Sequence, residues 1–223
     1  MEIWKPLIEL SEEIKDVFDT NFQSYDIDED VNFTGWEDNF WKSEQVRKCH
    51  LKTIDNRDTQ KTWLMHINIF PTLNKNIPIL GFDIVAGPSK ITGSFFDFSP
   101  VSGYHPFMQQ FKKKTENLEW NKKRELPEWA KNIFSDSMIA AGNIREMNEI
   151  DQLREVSLDL IKYYVSNLSK DDFICDPDKI KPIHNYYCQQ QKLNPHLHKS
   201  ILAMGISEED KNRYVNKILF EEI

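Results

Sequence analysis

The chain of 223 residues is 39% hydrophobic and 12% aromatic, which suits one domain spanning 1–223 with a sizeable core. A formal net charge of −8 argues against general nucleic-acid binding, and no apolar run reaches the roughly 18 residues of a transmembrane helix. The N-terminus is too acidic for a signal peptide, and three widely spaced cysteines without a CxxC pair indicate neither a zinc ribbon nor a disulfide framework. We therefore expect a soluble cytoplasmic protein that binds neither nucleic acid nor a membrane.

The predicted elements begin with an amphipathic helix over Pro6–Phe22, followed by an acidic, irregular stretch, Asp26–Asp38. Four strands follow, joined by short connections typical of antiparallel pairing: Gln45–Ile54, Trp63–Phe70, Ile77–Val85 and Lys90–Phe98. The remaining predicted elements are helices or short helical pieces: Met108–Glu119, Pro127–Phe134, Met147–Leu168, Ile183–Met204 and Glu208–Phe220. Strands in the middle and helices at both ends predict an α/β fold, a three-layer α/β/α sandwich around a central, largely antiparallel sheet.

Single polar residues within two apolar strands indicate a site that handles protons. Asp83 lies in a strand of apolar residues, where burial would raise the pKa of its carboxyl group and let it act as a general acid near neutral pH. His66 and Asn68 share one face of the preceding strand, which indicates a partly polar pocket. The alternatives are an Asp83 bonded to a turn backbone and a His66 with a purely structural role.

The segment 47–52, RKCHLK, carries alternating charges. Alternation places Arg47 and Cys49 on one face of the strand and Lys48, His50 and Lys52 on the other. Such a strand is usually a solvated edge, although the second face would also suit an anionic ligand.

A third polar cluster covers residues 184–196, HNYYCQQQKLNPH. Consecutive glutamines ending at Gln191, and Asn194 before a proline, interrupt a helical pattern. Uncharged polar groups at a helix break suit the amide-like or lactam-like groups of a ligand. The histidines and the cysteine of this region fit no standard zinc spacing, so no metal is expected.

Two basic runs stand out in this acidic chain: Lys112, Lys113 and Lys114, and the residues 122–124. A solvated face is the usual explanation, but concentrated positive charge would also dock an acidic partner protein. The sequence contains no GxGxxG, P-loop, nucleophile elbow or HExxH motif. An electron-transfer enzyme without a nucleotide site of its own must take its electrons from a protein.

Several longer motifs resemble the ferredoxin-dependent bilin reductases, most closely their phycocyanobilin:ferredoxin oxidoreductase branch. They run in the order of that family across nearly the whole chain: VRKCHL (46–51), PILGFDIVAGP (78–88), DFSPV (97–101), RELPEW (124–129), IFS (133–135), YCQQQ (187–191) and ILFE (218–221). Three of them, FDIVAGP, RELPEW and YCQQQ, are together very specific.

The resemblance implies an α/β/α sandwich that holds biliverdin between the sheet and the C-terminal helices. It implies a monomer with no bound cofactor, which takes single electrons from reduced ferredoxin, passes through bilin radicals and supplies protons from side chains. Asp83 falls on the central catalytic aspartate of the family, His66 on its histidine partner and His50 on a second pocket histidine. Asn194 corresponds to a position where the phycocyanobilin branch has an asparagine. Phycoerythrobilin-forming relatives can have a catalytic aspartate there.

Two positions depart from the phycocyanobilin branch. Lys52 stands where the branch has a glutamate that protonates the exovinyl group, and lysine cannot simply replace a carboxylic acid. An arginine that binds a propionate is replaced near Gly142, with Arg145 as the nearest substitute. This pattern resembles the phage-type offshoot of the branch, which reduces biliverdin to phycoerythrobilin through 15,16-dihydrobiliverdin. A phycocyanobilin-forming enzyme and a non-redox bilin carrier stay as alternatives.

Overall fold

The structure is a computed structural model that describes residues 3–27, 33–103, 105–170 and 173–223. Its centre is a seven-stranded antiparallel sheet in which each strand pairs with its neighbours along the chain. The strands are β1 (Gln23–Ser24), β2 (Trp36–Lys42), β3 (Val46–Asn56), β4 (Thr62–Pro71), β5 (Ile79–Gly87), β6 (Lys90–Ser99) and β7 (Ile139–Ala141). The predicted α/β fold with an antiparallel sheet is confirmed.

Helices cover both faces of this sheet. They are α1 (Trp4–Asn21), α2 (Pro106–Thr115), α3 (Glu128–Lys131), α4 (Met147–Asn167), α5 (Pro177–Gln191), α6 (Pro195–Ala203) and α7 (Glu208–Arg213), which continues into a π-helical segment, Tyr214–Leu219. Within the described ranges, no helix combines the length and apolarity that crossing a bilayer requires.

One face of the sheet forms a continuous apolar core with α1, α2 and α4. Leu7, Leu10 and Ile14 are spaced at helical intervals along α1 and are at most 1% exposed. Ile67 of β4 and Phe82 of β5 lie opposite one another in the sheet and are fully buried in the same cluster. This face carries the apolar half of each strand's alternation, so it anchors the strands and leaves the other half for the opposite face.

The opposite face packs against α5, α6 and the π-helical segment. Its apolar cluster includes Phe70, Ile79, Tyr187 and Ile218, but polar residues of β2 to β6 lie among them. This face receives the polar side chains of the strands, which alternate with the apolar ones. It also carries the predicted site residues of the sheet. We call it the polar face.

Several predicted bounds were wrong. The stretch interpreted as irregular up to Asp38 contains the start of β2, although residues 28–32 lie outside the described part of the chain. The helix predicted over Ile183–Met204 is two helices, because Pro195 cannot donate the backbone hydrogen bond that would continue α5. The helix predicted over Met108–Glu119 begins and ends earlier, at Pro106 and Thr115.

Candidate active site

A row of polar side chains crosses the polar face from strand to strand. Asp38 of β2 lies opposite Lys52 of β3, Lys52 opposite His66 of β4, and His66 opposite Asp83 of β5. Residues directly opposite one another in neighbouring strands project to the same face, so the register brings these four groups together. The predicted proximity of His66 and Asp83 is therefore confirmed, and Lys52 belongs to the same row.

His66 and Asp83 form a hydrogen-bonded pair, with 2.6 Å between Nδ1 and Oδ1. On the other side of the ring, the Asn68 side-chain amide lies 2.8 Å from His66 Nε2. An amide nitrogen donates, so this arrangement leaves Nε2 as the acceptor and places the ring proton on Nδ1, which donates to Asp83 Oδ1. Asn68 thus orients the imidazole, and the imidazole orients Asp83.

Asp83 lies in an open part of the polar face. Its side chain is 43% exposed, whereas the sequence predicted a carboxyl group buried among apolar residues. Gly81 and Val85, which project to the same side of β5, are also partly exposed, as is Phe95 opposite Asp83 in β6. These residues form an accessible floor with the carboxylate at its centre. We call this open part of the polar face the cleft.

Tyr187 of α5 closes one end of this floor. A Cβ on Gly81 would lie 3.0 Å from the Tyr187 hydroxyl, so glycine at this position lets the tyrosine approach the strand. The buried Gln191 donates from Nε2 to the same hydroxyl at 2.8 Å. Gln191 therefore lies in the helical layer that covers the polar face and is bonded to a tyrosine that touches the floor.

A second acid–histidine pair lies beside the first. His50 Nε2 is 2.6 Å from Asp38 Oδ1, and the Tyr214 hydroxyl donates to the same oxygen at 2.5 Å. Burial alone would raise the pKa of Asp38, but the bonds from His50 and Tyr214 and the charge of Lys52 outweigh it and lower that pKa. Burial lowers the pKa of His50 to about 3, so its ring is neutral and donates its Nε2 proton to a carboxylate.

Lys52 is buried within an aromatic cage rather than projecting freely into the cleft. Its Nζ lies 3.2 Å from the centre of a Trp36 ring and 4.1 Å from the centre of the Tyr214 ring. Burial lowers its pKa to about 7, and the charges of Asp38 and Asp83 oppose that effect. Lys52 is only 3% exposed, so water screens its charge little and the ammonium interacts with both carboxylates.

A β-bulge corrects the predicted face of Arg47. The register between β3 and β4 shifts between Val46 and Lys48, and Arg47 is the extra residue. Its guanidinium carbon consequently lies 4.5 Å from the centre of the Phe70 ring, on the polar face. Lys48 is buried there too, where its ammonium donates to the Ile218 carbonyl and burial lowers its pKa to about 8. The segment is therefore interior rather than the solvated edge first considered.

The structure places Asn194 at the break between α5 and α6. Its side-chain oxygen accepts from the backbone N–H of His196 at 3.0 Å and so caps α6. It lies among the helices that cover the polar face, but none of its described hydrogen bonds reaches the His66–Asp83 pair.

Arg145 lies in the loop that follows β7. It is exposed, and its Nε donates to the Asn143 side chain at 3.3 Å. The residue that occupies the space above Gly142 is instead Arg124, because a Cβ on Gly142 would lie 3.0 Å from its Nη2.

The two basic runs come together along one edge of the sheet. Lys112, Lys113 and Lys114 form the exposed last turn of α2. Lys123 pairs with Ala141 of β7 and lines a groove that also includes Lys112 and Lys131. Groups of three or more metal-ligating side chains do not occur in the part of the chain that is described.

Sequence reasoning missed Asp38, Trp36 and Tyr214. Asp38 and Trp36 alternate with Phe40 on one side of β2, a signal for a strand with a mixed polar face. Tyr214 lies in the segment predicted as helical, but its proximity to Asp38, 176 residues earlier, comes only from the fold.

Comparisons with known proteins agree with this geometry. Residues 11–221 match the family model for ferredoxin-dependent bilin reductases. The chain is 28% identical over 189 residues to the phycocyanobilin:ferredoxin oxidoreductase of Synechococcus sp. (strain CC9605), covering 79% of this chain and 72% of that relative. It is 30% identical over 187 residues to the enzyme of the same name from Prochlorococcus marinus (strain MIT 9313), covering 79% and 67%.

Solved structures share the fold. A structure of PcyX superposes with a TM-score of 0.73 at 22% identity, covering 97% of this chain and 99% of that one. Phytochromobilin synthase from tomato, solved in complex with biliverdin, superposes with a TM-score of 0.68 at 16% identity, covering 97% and 82%. Because the family model spans nearly the whole chain, this protein belongs to the ferredoxin-dependent bilin reductases, oxidoreductases that take electrons from ferredoxin and use biliverdin as their substrate.

Proposed function

We propose that this protein reduces biliverdin IXα to phycoerythrobilin through 15,16-dihydrobiliverdin, as a cytoplasmic monomer. The two reductions consume four electrons from four reduced ferredoxins and four protons. Electrons enter singly, so the bilin passes through radical states that the protein must protonate in the correct places. The observation that carries the proposal is the combination of an accessible His66–Asp83 pair with a caged lysine at position 52.

Asp83 is the proposed proton donor to the bilin. Its half-exposed carboxyl group at the centre of the cleft floor can meet the pyrrole nitrogens of a bound bilin. His66 holds that carboxyl group through Nδ1 and is itself held by Asn68. Protons lost to the bilin return from solvent through this exposed pair, since each reduction leaves Asp83 to be reprotonated.

The other predicted site residues have supporting roles in the proposal. Gln191 supports the cleft wall through Tyr187, and His50 holds Asp38 beside the floor. Asn194 assists protonation from the break between α5 and α6. Arg145 and its neighbours at the β7 edge are the proposed contacts for the acidic side chains of the bilin.

Lys52 is the reason to expect phycoerythrobilin rather than phycocyanobilin as the product of the reduction. The resemblance places a proton-donating glutamate at this position in the phycocyanobilin branch. Here the side chain is an amine packed between Trp36 and Tyr214. The nearest acid that could replace the glutamate is Asp38, directly opposite in β2. His50, Tyr214 and Lys52 lower its pKa and hold it as a carboxylate, which makes it a poor proton donor.

Ferredoxin is proposed to dock at the groove between α2 and the β7 edge. Lys112, Lys113, Lys114 and Lys123 concentrate positive charge there, on a chain whose net charge is −8. An acidic ferredoxin would be steered to this patch by long-range attraction. Lys113→Glu is expected to raise the KM for ferredoxin about three- to tenfold at low salt, with a smaller difference at high salt. Unchanged ferredoxin kinetics would remove the patch from the docking site.

An anaerobic assay tests the product. Biliverdin, the protein and reduced ferredoxin are incubated, and the bilins are separated by chromatography against phycoerythrobilin, phycocyanobilin and 15,16-dihydrobiliverdin standards. The expected end product is phycoerythrobilin, with 15,16-dihydrobiliverdin appearing first. Binding of biliverdin without turnover would instead identify a carrier.

A phycocyanobilin-forming activity is the second candidate, because the curated relatives described above carry that name. Lys52→Glu separates the two. A glutamate would face the Asp38 carboxylate, and the like charge would raise its pKa so that it holds a proton near neutral pH. We expect part of the product to shift to phycocyanobilin in this variant but not in Lys52→Gln. Phycocyanobilin from the unmodified protein would contradict the main proposal.

A further inference from the structure

Phe95 of β6 is an aromatic side chain that the apolar core of the protein does not use. The next residue, Phe96, projects to the other face of the sheet, where it is fully buried with its ring centre 4.7 Å from that of Phe82. Phe95 projects to the polar face, directly opposite Asp83, and is partly exposed. Among the described residues it stacks on no other aromatic ring and belongs to neither apolar cluster. One partly exposed apolar residue is ordinary on a protein surface, but this one lies on the cleft floor beside the proposed proton donor.

The Phe95 ring leans along β6 over Gly93. A Cβ on Gly93 would lie 3.0 Å from Cε2 of that ring, 3.6 Å from Cζ and 3.9 Å from Cδ2. Residues two apart in a strand share a face, so the distal edge of the ring occupies the space that a side chain at position 93 would need. Side chains in strands usually stand roughly perpendicular to the sheet. The missing side chain of Gly93 therefore lets this ring lie along the floor of the cleft.

The position of the ring suits a flat ligand that reaches Asp83. Asp83 lies opposite Phe95, and Val85 lies opposite Gly93, so the ring covers a strip of floor that borders the carboxylate. Neighbouring strands are about 4.8 Å apart, which places Phe95 about one strand spacing from Asp83. Biliverdin is a linear chain of four conjugated pyrrole rings. A pyrrole ring next to the one whose nitrogen meets Asp83 would therefore lie over the Phe95 ring.

We propose that Phe95 is a stacking platform for one half of the bilin and that Gly93 sets the tilt of this platform. This inference rests on the proposed function, because it takes the bilin as the ligand of the cleft. Conjugated rings favour an offset stacked arrangement, which also removes the apolar faces of both rings from water. Phe95 thus holds the pyrrole rings beside Asp83 in one plane and fixes which nitrogen meets the carboxyl group.

Absorbance titration with biliverdin, without ferredoxin, tests the platform. We expect Phe95→Leu to raise the Kd about three- to tenfold, because leucine keeps an apolar contact but loses the ring stacking. Phe95→Tyr, which keeps the ring, should bind biliverdin nearly as well as the unmodified protein. Equal affinity of Phe95→Leu and the unmodified protein would overturn the inference. A loss in Phe95→Tyr as large as that in Phe95→Leu would overturn it as well.

Gly93→Ala tests the tilt, since the added methyl group would push the Phe95 ring away from the strand. We expect a change in the ratio of the visible to the near-ultraviolet band of the bound bilin, which reports how extended and planar the tetrapyrrole is. The same substitution added to Phe95→Leu should change this ratio little, because the two residues act through one ring. An unchanged ratio in Gly93→Ala, or an equal change with and without the Phe95 ring, would overturn the role of Gly93.

A matched control removes an aromatic ring elsewhere. Phe22→Leu changes the other side of the sheet, where Phe22 stacks on Phe18 with 5.9 Å between ring centres, and should alter neither the Kd nor the bilin spectrum. Thermal unfolding without biliverdin shows which variants are folded, and Phe95→Leu is expected to fold because Phe95 lies outside both apolar clusters. Failure of the unmodified protein to bind biliverdin at all would instead overturn the proposed function.

Discussion

Two acid–histidine pairs lie side by side on one face of the sheet, and they differ in what covers them. Both have 2.6 Å between the imidazole nitrogen and the carboxylate oxygen. The Asp83 side chain is 43% exposed, whereas that of Asp38 is 9% exposed beneath Tyr214. The two imidazole rings lie 5.9 Å apart, so the pairs are neighbours in one polar layer. The contrast teaches that exposure, rather than pairing, decides which carboxyl group can meet a substrate.

The largest effect is expected when the exposed His66–Asp83 pair is broken. Asp83→Asn removes the proposed proton donor while keeping its size, so we expect turnover of biliverdin to fall by about 10²-fold or more. Biliverdin should still bind, because the floor of the cleft is unchanged. Single-turnover kinetics under anaerobic conditions measure the loss, and absorbance titration measures the binding. Turnover at the unmodified rate would exclude Asp83 from the mechanism.

The matching change in the buried His50–Asp38 pair should lower the stability of the protein. Asp38→Asn leaves the buried Lys52 without its nearest full counter-charge, and we expect the free energy of unfolding to fall by about 2–4 kcal/mol. The Asp83 carboxylate is partly solvated, so Asp83→Asn should lower the free energy of unfolding by less than about 1 kcal/mol. Urea denaturation of the two variants in parallel measures both values. Equal losses would show that burial does not distinguish the pairs.

The pH dependence of stability sharpens the comparison at Lys52. Its pKa is lowered from 10.5 to about 7, so the folded state binds fewer protons than the unfolded state between those values. The free energy of unfolding should therefore rise as the pH rises from about 7 toward 10, by up to a few kcal/mol. Lys52→Met should lack this contribution, so the difference between the two proteins should change with pH. A constant difference across that range would contradict the lowered pKa.

The smallest expected effect concerns a third carboxyl group on the polar face, Asp97 of β6. Burial raises its pKa to about 6, against opposing hydrogen bonds from Ser135 and Ser99. The folded state then binds more protons than the unfolded state between about pH 4 and 6. The stability that this proton contributes should be lost as the pH rises through that window, relative to Asp97→Asn, by about 1–3 kcal/mol. Denaturation at a series of pH values checks the sign.

The sequence predicted the parts of the fold that depend on strong alternation or helical periodicity. Strands β3 to β6 and helices α1 and α4 were located within a few residues, because each has a clear apolar face. β7 was missed because it has only three residues, Ile139–Ala141, and its alanines have weak strand propensity. Arg47 was placed on the wrong face because a bulge adds one residue to β3, which alternation alone cannot reveal.

The sequence predicted only those contacts of the site that join neighbouring strands. His66 and Asp83 lie in consecutive strands joined by a short connection, so their proximity follows from local pairing. The position of Arg124 above Gly142 depends on a segment that pairs with the sheet edge after a long excursion through α2. Spacing along the chain carries no information about such a contact, so the sequence did not predict it.

By itself, the sequence determined the family resemblance, the antiparallel sheet and the strands that carry His50, Lys52, His66 and Asp83. A period of two residues also assigned the side chains of each strand to its two faces. Tertiary structure decided how each of these groups is covered. Trp36 and Tyr214 come from β2 and the C-terminal segment, far from Lys52 along the chain, and their packing removes Lys52 and Asp38 from water. Burial, charge and pKa depend on everything that surrounds a group, and only folding brings those surroundings together.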